Sequence, residues 1–137
     1  MAERKPRILA AVRPQGGVAV RRALGEYAEV TPVYTYDDAV AALRGKSDYD
    51  LVLCGVFFNE TRALDLVRLV RKEFPSLPVV CCRIGDRVVD PVMSEAMGIA
   101  AKSIGAVAYI ERGRRASFVA MSIALLAAVF HQALIGY

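Results

Sequence analysis

The chain has 137 residues, which is enough to bury one hydrophobic core and short for two, so we expect a single domain over residues 1–137. Hydrophobic residues make up 55% of it, and this composition excludes an intrinsically disordered chain. The formal net charge of +4 is mild. Because no recognisable basic motif accompanies it, nucleic-acid binding through Arg21, Arg22 and the basic N-terminal residues is not favoured.

The first predicted strand, Arg7 to Val12, is short and apolar. Gly16 and Gly17 follow it and predict a turn, and a helix is expected from about Val18 to Tyr27. Two glycines before a helix can let a backbone approach an anion. The sequence has no third glycine and no Lys-Ser/Thr after the pair, so a plain turn is favoured over a phosphate-binding loop.

A second strand is predicted from Glu29 to Tyr36, and Pro32 within it indicates an edge strand of the sheet. Asp37 is expected to cap a short helix, Asp38 to Arg44, that ends at Gly45. Capping accounts for the adjacent aspartates without assigning them any chemistry.

The third strand, Tyr49 to Phe58, is apolar almost throughout, which is typical of a strand buried on both faces of a parallel sheet. An amphipathic helix, Thr61 to Phe74, and a fourth strand, Leu77 to Ile84, complete a βαβ unit with it. The apolar stripe of this helix is predicted to consist of Leu64, Val67, Leu69 and Val70.

Three cysteines, Cys54, Cys81 and Cys82, fall inside these predicted strands. An odd number of cysteines at buried positions favours reduced thiols that serve as packing residues, and hence a cytoplasmic protein. Cys81 and Cys82 are adjacent and point to opposite faces of a strand, so they suit neither a disulfide with each other nor a shared metal. The N-terminal residues show no secretory signal pattern.

Pro91 is predicted to begin a helix, capped by Asp90, that runs to about Ile104, and Gly105 ends it. A fifth strand follows from Ala106 to Ile110. The last predicted helix, Ala116 to Tyr137, contains no Asp, Glu, Lys or Arg. Its serines, alanines, histidine and glutamine dilute its hydrophobicity, so we favour a packed helix whose second face meets a partner over a membrane span.

This order of elements resembles the receiver domain of bacterial response regulators, the CheY-like fold, over nearly the whole chain. Three parts of the chain carry the resemblance: Tyr49–Leu53 followed by Val56–Glu60, Leu64–Arg71 followed by Pro75–Val80, and the Gly-Ala-x-x-Tyr-Ile run from Gly105 to Ile110. The resemblance implies a single α/β domain of five βα units, flavodoxin-like, with a parallel sheet in the order 2-1-3-4-5 and helices on both faces. It also implies a role in two-component signal transduction.

The residues that carry out the family's chemistry are replaced. The resemblance places the phospho-acceptor aspartate at Gly55, and the acidic Mg²⁺ ligands at Val12 and Arg13. The hydroxyl residue that ends the fourth strand is matched by Arg83, and the lysine that ends the fifth by Arg112. Phosphoryl transfer needs a carboxylate nucleophile and a cation, so we expect no phosphorylation at Gly55, no divalent metal, no cofactor and no enzymatic activity.

Three arginines are expected to rim this altered site: Arg13, Arg83 and Arg112, with open space beside Gly55. They either pair with Glu60, Asp86 or Glu111 and hold the loops in one conformation, or bind an anion through their guanidinium groups. The second possibility supports an alternative function, a flavodoxin-like domain that binds a small molecule or anion.

The favoured function is a pseudo-receiver that acts by protein–protein contact. The apolar last helix would aggregate if it were exposed, so we expect it to be covered in a homodimer. The interface residues predicted on it are Phe118, Met121, Leu125 and Val129.

Overall fold

The computed structural model describes residues 5–45, 48–56, 58–59, 62–83 and 91–111. Five strands alternate with four helices over these residues. In chain order they are β1 (Arg7–Ala11), α1 (Pro14–Leu24), β2 (Glu29–Val33), α2 (Tyr36–Arg44), β3 (Leu51–Gly55), α3 (Ala63–Glu73), β4 (Val79–Arg83), α4 (Pro91–Ser103) and β5 (Ala108–Glu111). The predicted last helix, with Phe118, Met121, Leu125 and Val129, lies outside the described residues, as does Arg112.

The strands form one parallel sheet in the order β2-β1-β3-β4-β5, which confirms the predicted fold class and strand order. The apolar run of β3 places it at the centre, where Leu51 to Cys54 are fully buried. β2 is an edge strand, as Pro32 predicted.

Residues that alternate along the strands form two cores, one on each face of the sheet. On one face, residues such as Ile8, Leu53 and Cys82 pack with Val20 and Leu24 of α1. The other face packs against the remaining described helices, with members that include Leu43, Leu66 and Ala101. Helices therefore cover both faces, as a buried parallel sheet requires.

The glycine pair lies inside α1, so the predicted turn is wrong. The helix begins at Pro14 and its first turn contains Gly16 and Gly17, both buried. A Cβ atom on Gly16 would lie 3.2 Å from Cβ of Val12, and one on Gly17 would lie 3.0 Å from Oη of Tyr34. The glycines therefore let the start of α1 approach the sheet closely, which is a packing role.

The cap of α2 also differs from the prediction. Thr35, not Asp37, is the N-cap residue, and its Oγ1 accepts a hydrogen bond of 3.1 Å from the backbone N–H of Asp38. Both aspartates lie in the first turn, where negative charge is stabilised by the helix dipole. Gly45 ends the helix, as predicted.

The apolar stripe of α3 is rotated relative to the prediction. Its buried residues are Ala63, Leu66, Val67 and Val70, whereas Leu64 is 39% exposed. The sequence pattern therefore gave the correct helix and two of its buried positions, but not the orientation of its first turn.

The connection from α4 to β5 uses a glycine in a conformation that other residues rarely adopt. Gly105 has φ +113° just after the helix, in agreement with its predicted role as the end of α4. The aliphatic stem of Arg71 lies against its α-carbon, and the Arg71 guanidinium donates hydrogen bonds to the carbonyl oxygens of Pro75 and Leu77. Arg71 thereby ties the end of α3 to the segment that leads into β4.

None of the helices within the described ranges is both long and apolar enough to cross a membrane.

Candidate functional site at the carboxyl end of the sheet

The parallel strands bring the predicted site residues to one end of the sheet. We use "carboxyl end" for the region where β1, β3 and β4 finish, at Ala11, Gly55 and Arg83. Ala11 is the register partner of Cys54, the residue before Gly55. Open α/β sheets place their binding and catalytic sites at this end.

Val12, which directly follows β1, borders the position of Gly55. It is buried, and its backbone N–H donates a hydrogen bond of 3.1 Å to the carbonyl of Val33. A Cβ atom on Gly55 would lie 3.4 Å from Cγ1 of Val12 and 3.7 Å from the carbonyl oxygen of Ala11. The space expected beside Gly55 is therefore limited on this side by an apolar side chain at van der Waals distance.

The chain after β3 folds back in a tight turn. The backbone N–H of Val56 donates to the carbonyl of Cys82 at 2.9 Å, and that of Phe58 donates to the carbonyl of Gly55 at 2.9 Å. Phe58 is completely buried and belongs to the core under α3. An apolar anchor thus holds the turn at the point where the resemblance places the reactive residue.

Asn59 joins this turn to α2. Its backbone has φ 44°, in the left-handed region that asparagine tolerates better than most residues. Its side-chain Oδ1 accepts a hydrogen bond of 2.7 Å from the backbone N–H of Tyr36, the first residue of α2. Asn59 and Thr35 therefore satisfy two backbone donors at the same helix N-terminus.

Arg62 adds a second contact between the same two segments. Its guanidinium carbon lies 4.0 Å from the centroid of the Tyr36 ring, within the range of a cation–π interaction. Its Nε forms an ion pair of 3.0 Å with Oδ2 of Asp65 in the first turn of α3. The segment after β3 is consequently held to α2 through the hydrogen bond from the Tyr36 N–H to the Asn59 side chain and through the contact of Arg62 with the Tyr36 ring.

The structure places two of the three predicted arginines in different environments. Arg13 is exposed at the N-cap of α1, without a side-chain capping hydrogen bond. Arg83 is only 6% exposed, and its register partner is Glu111 of β5. One of these arginines is therefore exposed and the other buried, and anion binding at Arg13, Arg83 and Arg112 stays a prediction.

Asn59, Tyr36 and Thr35 were missed as components of this end of the sheet. One of them had a sequence pattern: Thr35 precedes Asp38 by three residues, the Ser/Thr-x-x-Asp/Glu spacing that predicts a helix N-terminus. The contact between Asn59 and Tyr36 spans 23 positions in the chain, and no local pattern predicts it.

Solved structures of response regulators share this architecture. A response regulator from Thermotoga maritima is 24% identical in sequence to this chain and superposes with a TM-score of 0.74. The alignment covers 92% of this chain and 98% of the Thermotoga chain. The chain has the receiver fold. A CheY-like receiver domain protein from Methanospirillum hungatei is 16% identical and superposes with a TM-score of 0.73, and the alignment covers 94% of this chain and 97% of that protein.

An orphan response regulator of H. pylori gives the same result, with 18% identity, coverage of 90% and 96%, and a TM-score of 0.70. No protein-family model and no curated protein sequence matches the chain. At these identities the likeness shows the receiver fold alone.

Proposed function

We propose that the chain is a receiver-like signalling domain that accepts no phosphoryl group at Gly55 and acts through contact with other proteins. The observation that carries the proposal is the pairing of Gly55 with Val12 at the carboxyl end of the sheet. A glycine at the end of the central strand has no nucleophile, and the side chain nearest to it is apolar and buried.

The proposal follows from what phosphoryl transfer requires. The reaction needs a nucleophilic oxygen and a cation that offsets the charge of the transferred group. A hydrocarbon side chain cannot ligate Mg²⁺, and the guanidinium of Arg13 carries the wrong charge for this purpose. The residues at the family's positions therefore supply neither component.

Incubation with a small acyl-phosphate donor and Mg²⁺, followed by intact-mass measurement, tests this part of the proposal. We expect no phosphate on the protein under conditions that fully modify a receiver domain with an aspartate at the equivalent position. A stoichiometric phosphate adduct on this chain would refute the proposal.

The contact surface is supported by apolar side chains on α4 and at the start of β5. Val92, Met93 and Ile99 of α4 are 75%, 56% and 62% exposed, and Val107 next to β5 is 41% exposed. Isolated exposed apolar residues are ordinary, but several along one helix and its neighbouring strand mark an interaction site. We propose that this surface, continued by the predicted helix with Phe118, Met121, Leu125 and Val129, forms a homodimer or binds a signalling partner.

Light scattering over a range of protein concentrations tests the homodimer. We expect Ile99→Asp to shift the wild-type dimer towards monomer. Val18→Asp is the matched control, because Val18 is also an exposed apolar residue on a helix, 56% exposed, but lies on α1. Met121→Asp tests the predicted continuation of the surface.

A wild-type protein that remains monomeric at high micromolar concentration would refute self-association. Equal effects of Ile99→Asp and Val18→Asp would refute the assignment of the surface to α4. The phosphorylation result is independent of both outcomes.

A further inference from the structure

Two of the three cysteines lie side by side in the core. Cys54 of β3 and Cys81 of β4 are register partners on adjacent parallel strands. Both are buried in the same core cluster, whereas Cys82 belongs to the cluster on the other face of the sheet. Neighbouring strands are about 4.8 Å apart, and disulfides join residues whose Cα atoms are about 4.4–6.8 Å apart. The Cα separation of Cys54 and Cys81 therefore lies within the range that disulfides span, but their side chains must still come closer.

The two thiols have different protonation tendencies. The hydrogen bond from the Cys54 thiol to Cys81 lowers the pKa of Cys81, although burial acts in the opposite direction. The same hydrogen bond, together with burial, raises the pKa of Cys54. The Sγ of Cys54 also lies 3.7 Å from the carbonyl oxygen of Ala63, which is an alternative acceptor for its single thiol proton. The lowered pKa of Cys81 favours its thiolate, and the strand register holds Cys54 beside it.

We propose that Cys54 and Cys81 form a modification site at which a hydroperoxide produces a reversible intrachain disulfide. The Cys81 thiolate attacks the peroxide O–O bond, which gives a sulfenic acid on Cys81 and, after protonation, an alcohol or water. The Cys54 sulfur then attacks the sulfenic sulfur, the S–O bond breaks as the S–S bond forms, and the sulfenic OH leaves as water with the Cys54 thiol proton. Two thiols are oxidised by two electrons, and one peroxide bond is reduced.

The geometry predicts that this disulfide is strained and therefore easily reduced. A disulfide brings its two Cβ atoms to about 3.8 Å, closer than the spacing of about 4.8 Å between the strands. Side chains opposite each other in a parallel pair leave the sheet in nearly the same direction, so the bridge must distort the strands locally. Strained disulfides are the readily reduced ones, as a regulatory modification requires.

The bridge would act directly on the carboxyl end of the sheet. Cys54 precedes Gly55, and Cys81 precedes Cys82, whose carbonyl accepts the hydrogen bond of the turn after β3. Oxidation would alter the spacing of β3 and β4 one residue below this turn. Because both thiols are buried, the reaction depends on local opening of this end and is slower than oxidation of an exposed thiol.

The proposal does not depend on the proposed contact function, because it concerns the core of the isolated chain. The experiment treats the folded protein with hydrogen peroxide, alkylates the remaining thiols in denaturant, and measures intact mass and peptide masses. We expect the number of free thiols to fall from three to one, with a peptide pair joined through Cys54 and Cys81. Dithiothreitol should restore all three.

Matched variants identify the partners. Cys82→Ser removes a buried thiol of the same strand on the opposite face and should still form the bridge, whereas Cys54→Ser and Cys81→Ser should not. If either of these two variants fails to fold, the peptide map of the wild-type protein decides alone. The proposal would be overturned if the wild-type protein kept three free thiols or formed a bridge through Cys82. It would also be overturned if only intermolecular disulfides formed, or if Cys81 were oxidised without forming a bridge.

Discussion

Substitution of Gly55 separates the shape of the carboxyl end from its chemistry. Gly55→Ala adds a Cβ atom that lies 3.4 Å from Cγ1 of Val12, an ordinary van der Waals contact. Alanine also has fewer backbone conformations than glycine in the unfolded chain, and this difference stabilises a strand residue by about 0.5–1 kcal/mol. We therefore expect G55A to raise the free energy of unfolding by up to about 1 kcal/mol, measured by urea denaturation.

A carboxylate at the same position has a different outcome. Gly55→Asp keeps the gain in chain restriction but places a charged group against the buried isopropyl group of Val12. Incomplete hydration of a polar group costs about 1–3 kcal/mol, so the net effect should be a loss of about 0–2.5 kcal/mol in the free energy of unfolding. Gly55→Asn is the control, because it has nearly the same shape without the charge, and it should be more stable than G55D.

The same variant tests whether the acceptor residue alone restores chemistry. With the acyl-phosphate donor and Mg²⁺, G55D should acquire no phosphate, because Val12 and Arg13 still provide no metal ligand. A phosphorylated G55D would show that another carboxylate of the chain reaches this end of the sheet and holds Mg²⁺. Strong destabilisation by G55A would contradict the contact geometry with Val12.

Two further substitutions test the connections around α3. In a urea titration, Gly105→Ala should lower the free energy of unfolding by about 1–3 kcal/mol. The reasons are that Gly105 has φ +113° and that the added Cβ atom would overlap the aliphatic stem of Arg71. Gly45→Ala is the control and should have little effect in the same titration, because Gly45 has an ordinary φ. Arg44 and Glu73 link α2 to α3 through two hydrogen bonds, and the hydrogen bond from Arg44 lowers the pKa of Glu73. The stability that this pair contributes is complete above the ordinary carboxyl pKa of 4.5 and is lost as the pH falls through the lowered pKa of Glu73 in the folded state. The urea midpoints of the wild-type protein and Glu73→Gln should therefore differ at neutral pH and become equal at strongly acidic pH.

The strand order followed from the resemblance to receiver domains, whereas the existence and sequence of the strands and helices could be predicted from local chemistry. The apolar run of the third strand indicated burial on both faces, and Pro32 indicated a strand at the side of the sheet. Pro91 began a helix and Gly105 ended it, since proline lacks the N–H that the first turn does not use and glycine accepts a positive φ.

The errors occurred where a distant residue decides the local structure. Gly16 and Gly17 predict a turn in isolation, and they lie in a helix because Val12 and Tyr34 approach that helix too closely for side chains. The environment of Arg83 likewise depends on its place in the sheet, and its sequence neighbours do not reveal it.

The pairing of Cys54 with Cys81 illustrates the same limit. The sequence showed that Cys81 and Cys82 face opposite sides, because alternation along a strand is local. Which of the two lies beside Cys54 depends on the register between β3 and β4, and a shift of one residue would exchange them. Register is a property of the packed sheet, so this candidate site became visible only in the structure.

Val12 and Gly55 make the carboxyl end of the sheet apolar and closely packed. Exposed ionic side chains at a strand end need water or a bound cation around them, and loops there cannot pack closely. Here the core continues through Val12 to the turn, where Phe58 is buried and Asn59 is bonded to the start of α2. A turn anchored in this way has fewer alternative conformations than one that must open for a metal and a phosphate. The proposed disulfide would act on this turn through β3 and β4, because Cys54 precedes Gly55 and the carbonyl of Cys82 accepts the hydrogen bond from Val56.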